Sequence, residues 1–129
     1  MQSLKPSLMV LVIASSILLL LIGCTRKPSD SEIAEAVRAR LQNNVPVSWV
    51  GNLMGGRNAI IHSIEIIEWG SFNIDYKYWP AKIRVIGSAK LNDPFNQGKT
   101  VQFDEAGDFL LSKDDYGKWK AELKRGMFQ

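Results

Sequence analysis

The chain has 129 residues, with 16 Lys and Arg against 13 Asp and Glu for a net charge of +3, a single histidine and a single cysteine. Bases and acids are interspersed along the length, which excludes the clustered basic footprint of a nucleic-acid binder. One histidine and one cysteine exclude a His/Cys metal cluster, a conventional Ser/His/Asp triad and an internal disulfide, so packing must supply the stability.

The first element in chain order is an export segment. Lys5 precedes an uncharged apolar run, residues 8–22, and small Gly23 stands just before Cys24. A positive start, an apolar stretch and small residues before a cleavage point are the three parts of an export signal. As a helix, the 15 residues of that run would span about 22 Å against a hydrocarbon core of about 30 Å, which argues against a retained span. Ser15 and Ser16 weaken it further.

Leu21-Ile22-Gly23-Cys24 resembles a bacterial lipobox. The resemblance implies cleavage between Gly23 and Cys24, loss of residues 1–23 as a signal peptide, and a diacylglyceryl thioether on the Cys24 sulfur. A covalent lipid is then the one added group expected, with no other cofactor and no metal. The first partner is the membrane: each buried methylene contributes about 0.8 kcal/mol, so one acyl chain holds marginally and two or three hold firmly. In lipoproteins of enteric bacteria an aspartate after the cysteine is a retention signal. Thr25 stands there instead, so the resemblance implies the outer membrane, where the organism has one, and a domain facing the periplasm.

Residues 24–29 then form a short tether and residues 30–129 a single domain. After the first 23 residues 106 remain, with a net charge of +2 once Lys5 is lost, the size of one ordinary domain. Arg26 and Lys27 would add an attraction of about 1 kcal/mol each to acidic head groups.

Ser29-x-x-Glu32 fits a capping box, and Glu32 and Glu35 suit the positive end of a helix dipole. Ile33, Val37 and Leu41 recur every four residues beside Ala34, which predicts a helix of about 12 residues with one apolar face. Asn43-Asn44 followed by Pro46 marks its stop. Residues 45–58 are irregular, with room for a helical turn over residues 49–54. Residues 59–69 then read as a strand in which Ile64 and Ile66 give way to Ile67 and Trp69 on the other side, as a bulge or burial on both faces produces. Ile74, Tyr76 and Tyr78 alternate with Asp75 and Lys77, predicting a second strand that Pro80 breaks or bends. Residues 81–91 alternate most cleanly, with Ala81, Ile83, Val85, Gly87, Ala89 and Leu91 against Lys82, Arg84, Ser88 and Lys90.

Residues 92–98 are a loop by their turn chemistry. Residues 100–103 and 108–112 read as two strands, or as one bent at Ala106-Gly107. Asp114-Asp115-Tyr116-Gly117 reads as a hairpin turn into a last strand carrying Trp119, Ala121 and Leu123. One helix before four to six antiparallel strands implies an α+β fold with the helix packed across one sheet face. The stretch Phe109-x-Leu111-x-Lys113-Asp114-Asp115-Tyr116-Gly117-Lys118-Trp119-Lys120-Ala121 resembles the last hairpin of the small α+β cones of the cystatin-like and ketosteroid-isomerase-like class. That resemblance covers most of residues 30–125 and implies a curved sheet gripping the helix, with the cystatin arrangement the closer fit.

His62 reads as a structural or exposed residue near a strand start. Asp104, Glu105 and Asp108, and again Asp114 and Asp115, read as turns and solvated strand faces, because the alternating oxygen ligands and central glycine of a calcium loop are absent. Gly55-Gly56-Arg57 lacks the Lys-Ser or Lys-Thr of a phosphate loop. The aromatics Trp69, Phe72, Tyr76, Tyr78 and Trp79 cannot all be core together, and they form the candidate binding patch. The expected role is a non-catalytic binding or accessory module that contacts another envelope protein. The alternative is an isomerase-like enzyme or ligand carrier, with Asp75 or Asp104 as base beside Tyr76 or Tyr78 in a cone cavity.

Overall fold

Helix α1, Asp30–Leu41, starts at a reciprocal capping box. In the computed structural model, which describes residues 26–96 and 98–124, the Glu32 amide donates to the Ser29 hydroxyl at 3.3 Å. The Ser29 amide in turn donates to the Glu32 carboxylate at 2.9 Å. Two backbone donors that a helix start leaves orphaned are satisfied at once. The Ser29 backbone N–H is the main reason the Glu32 carboxyl is lowered from 4.5 to about 2, with Arg26 adding to it. Because the folded value is depressed, this stabilisation is present above the unfolded value and is lost as pH falls from 4.5 toward about 2. The carboxylate stays in contact with solvent, so the loss is confined to the first turn. Protection of the Ser29 amide, measured relative to its intrinsic exchange rate at each pH, should therefore fall across that window. Ser29→Ala should cost about 1 kcal/mol in a urea melt, and an unchanged midpoint would contradict the cap.

Four strands follow: β1, Gly56–Trp69; β2, Trp79–Leu91; β3, Thr100–Lys113; and β4, Trp119–Leu123. They form one antiparallel meander in the order β1-β2-β3-β4. The fold is α+β. On β2 the expected inner row, Ala81 to Leu91 in steps of two, is buried, while Lys82, Arg84 and Lys90 are exposed. Ser88 shares the outer row but is buried, flanked across the strands by Ile60 and Gln102. Pro80 lies inside β2 and does not break it. Its carbonyl accepts from the Gly70 amide at 2.7 Å, just past the last β1 pair, so its missing N–H falls where that ladder stops.

Pairing of β1 with β2 shifts register three times, between Arg57 and Ile60, Ile61 and Ser63, and Ile66 and Glu68. Each extra residue bends the strand and increases its twist. The third shift is the side change expected at Ile67, which is exposed while Ile66 and Trp69 pack on the core. The carbonyl of Ile60, at the first bulge, approaches the point where a Cβ on Gly87 would stand. The bent sheet brings both edges to the helix: α1 lies against β1 on one side and β4 on the other. Ile33, Val37 and Leu41 join Ile83, Val85, Phe109 and Leu111 in a single core.

Two sequence expectations change here. The helical turn sits earlier than expected, as α2, Val47–Val50, closed by Gly51 at φ 63°. It lowers Trp49 into the core at 5.7 Å from the Phe103 ring and 6.4 Å, edge-on, from Phe109. Trp49 lies over Gly107, where a Cβ would come within 3.0 Å of the indole and 2.6 Å of Leu123. Gly107 is thus a seat for Trp49 within the continuous strand β3, rather than the end of one strand and the start of another.

Chain direction creates two poles. β1 and β3 end, and β2 and β4 begin, at the pole where α1 starts. Lys27 reaches Trp69 there, whereas at the other end of α1 the Gln42 carbonyl accepts from Ala59 at 3.1 Å. Residues 26–29, the hairpin 70–78 and the turn 114–117 share this entry pole. The loops 42–55 and 92–99 share the opposite one. Among the described residues no helix is long and apolar enough to cross a membrane.

Candidate functional site

At the entry pole, the end of β1 and the start of β2 bring three of the five candidate aromatics together. Trp69 and Trp79 meet edge to face at 6.0 Å, and Phe72 lies 5.2 Å from Trp79. The Lys27 ammonium sits 5.0 Å from the Trp69 ring and 5.2 Å from Trp79, a double cation–π contact that ties the start of the domain to the cluster. Pro28, next along the chain, is buried.

The strand expected from Ile74 to Trp79 is instead a turn over residues 74–77, closed by an antiparallel bridge between Asn73 and Tyr78. Asn73 is the cause. Its side-chain oxygen accepts from the Asp75 amide at 3.1 Å and the Tyr76 amide at 3.0 Å, and its amide group donates to the Tyr78 hydroxyl at 3.2 Å. Local side-chain bonds to the backbone outcompete strand pairing, and Lys77 takes the left-handed conformation at φ 56° that the turn needs. Tyr76 and Ile74 are left at the tip, 78% and 75% exposed. Tyr78 lines an open cleft of about 460 Å³ with Glu68, Trp69, Pro80, Asp108 and Lys124.

The acidic turn at the same pole is built as expected. Asp114 accepts from the Tyr116 and Lys118 amides, both at 2.9 Å, and Gly117 supplies φ 77°. Its carboxylate is committed to the turn, and Tyr116 projects from it 95% exposed.

Asp104 and Asp75 are far apart in role. Asp104 lies on the outer face and accepts a two-pronged contact from Arg84, 2.8 Å from Nε and 2.6 Å from Nη2, with Glu65 3.8 Å from Arg84. Hydrogen bonding to Arg84 holds the Asp104 carboxyl below the usual carboxylate range and raises Arg84. Asp104 is seven positions along β3 from Leu111, the partner of Trp79, about 23 Å away. Asp75 sits in the exposed hairpin turn. The concave face, where a cone cavity would lie, is filled by α1 and the core side chains. His62 is exposed, the extra residue of the second bulge. No group of three or more potential metal ligands occurs among the described residues.

The opposite pole carries exposed apolar residues, two of them, Leu53 and Met54, just beyond the end of α2 at Val50. Leu53 and Met54, on one loop, and Phe95, 96% exposed on the other, project into solvent. The two loops are joined by bonds from Asn52 to Asp93 at 3.2 Å, from the Asn92 amide to the Gly55 carbonyl at 3.1 Å and from the Asn92 side chain to the Met54 carbonyl at 3.1 Å. The Phe95 amide, then Asn96 and Asn52, lower the Asp93 carboxyl. A usable signal was there: large apolar residues inside Asn52-Leu53-Met54-Gly55 and Asp93-Pro94-Phe95-Asn96, where turn chemistry rules out core burial. Comparison of the chain with protein-family models, curated proteins and solved structures gives no match.

Proposed function

We propose that this chain is a lipid-anchored lipoprotein of the bacterial cell envelope, tethered through Cys24, whose domain is a non-catalytic binding module for another envelope protein. The observation that carries the reading is Leu21-Ile22-Gly23-Cys24 at the end of an apolar run, five residues ahead of the Ser29 cap where the folded domain begins. Binding rather than catalysis is supported by the filled concave face and by the apolar side chains carried on bonded loops at the pole away from the tether. A helix held between both edges of a bent four-stranded meander supports the cystatin-like reading of the domain. Thr25 favours the outer membrane, with the domain in the periplasm.

Cys24→Ala tests the anchor. The variant is expected to stop incorporating labelled palmitate and to leave the lipidated membrane fraction. A variant that still takes up label and stays bound would overturn the anchor.

A further inference from the structure

We propose that the entry pole itself rests on the bilayer, so that the tips of hairpin 70–78 and turn 114–117 form a second, interfacial contact with lipid beside the anchor. The inference rests on the reading that Cys24 lies at the membrane surface. Chain length does the rest. Lys27 is three residues after Cys24, a separation of at most about 11 Å. Lys27 is no free tether residue, because its ammonium sits over Trp69 and Trp79, and Pro28 beside it is buried. With the lysine stem and the 5.0 Å from its ammonium to the Trp69 ring added to that reach, the end of the sheet is held within about 22 Å of whatever surface holds residue 24.

Both hairpins leave the sheet from one row, since Trp79 is paired with Leu111. Tyr76 stands three positions beyond Trp79 and Asp115 four beyond Leu111, so the two tips reach about 10–13 Å past that row. Each exposes side chains of the kind that settle at a membrane–water boundary, an apolar body with a polar end or a long stem: Ile74, Tyr76 and Lys77 on one, Tyr116 on the other. Asp75 balances Lys77, and Asp114 and Asp115 balance Lys113 and Lys118. With no net charge at the tips themselves, apolar contact at head-group depth is their binding term, and added salt, which screens the attraction of Arg26 and Lys27, should leave the tip contact in place. Leu53 and Phe95 are as exposed, but they lie at the far end of the 13-residue strand β2, up to about 40 Å away. Exposure alone does not select the pole; the tether does.

The test uses the full chain, purified from membranes and reconstituted into vesicles of phosphatidylethanolamine and phosphatidylglycerol that carry a nitroxide on the acyl chain. A fluorophore is attached in turn at Ile74→Cys, Tyr76→Cys, Tyr116→Cys and Phe95→Cys, all exposed positions whose replacement leaves the core untouched. Quenching at positions 74, 76 and 116 is expected to exceed that at position 95 several-fold, with or without added salt. Equal quenching at all four overturns the contact, as does shielding of the tips only when other envelope proteins are added. Failure of the anchor reading gives a separate signal. With Cys24 lipidated the parent chain takes no label, whereas a labelled parent chain overturns the lipid on Cys24 and, with it, the premise of the contact.

Discussion

Phe109→Ala is expected to destabilise the domain by about 3–5 kcal/mol, the range for deleting a fully buried aromatic. Phe109 is 0% exposed, stacks edge-on to Trp49, and is paired with Ala81 on one side and Leu123 on the other. It joins the sheet, the Trp49 plug above Gly107 and the core beneath α1. A domain of this size has about 5–15 kcal/mol in total, so the loss would consume much of it. Urea unfolding of the reconstituted protein measures the effect, and a loss under about 1 kcal/mol would mean that Trp49 and Phe103 close over the gap.

Gly87→Ala is the second large effect. The new methyl would meet the Ile60 carbonyl, and the Phe103 ring at 3.1 Å. A carbonyl on a bulged strand cannot swing aside as a side-chain end can, so the register of β1 on β2 has to give. Overpacking of this kind costs about 1–3 kcal/mol. Amide exchange on β1 between Ile60 and Ile64 should rise with it, because those pairs sit beside the affected bulges. Unchanged stability and exchange would show that the first bulge does not depend on a bare glycine opposite it.

Periodicity made the regular elements legible. The Ile33, Val37 and Leu41 spacing and the β2 alternation each match one geometric period, and the structure buries those rows, adding Ala36 on the helix while Ala34 stays half-buried. The change of side at Ile67 was legible too, because an isoleucine-rich run shows it, and the exposed Ile67 beside a register shift makes it a bulge rather than burial on both faces. The bulges around Asn58 and His62 were not, since small and polar neighbours hide the shift. Residues 74–79 mislead for a physical reason: period-two alternation describes a strand, but Asn73 captures two amides and folds the segment on itself. Of the candidate patch, Trp69, Phe72 and Trp79 cluster, Tyr78 bonds to Asn73 beside them, and Tyr76 stands alone at the tip. Proximity of Lys27 to that cluster could not be read from sequence, because it depends on the sheet bringing residues some 40 positions apart together. The exposure of Leu53, Met54 and Phe95 is not legible from pattern, because apolar loop residues follow no period.

Intact mass spectrometry of the protein extracted from membranes tests the lipid on Cys24 most directly. The predicted species begins at Cys24 and carries the added mass of two or three acyl chains. A chain of all 129 residues that begins at Met1, with an unmodified thiol at position 24, would contradict it.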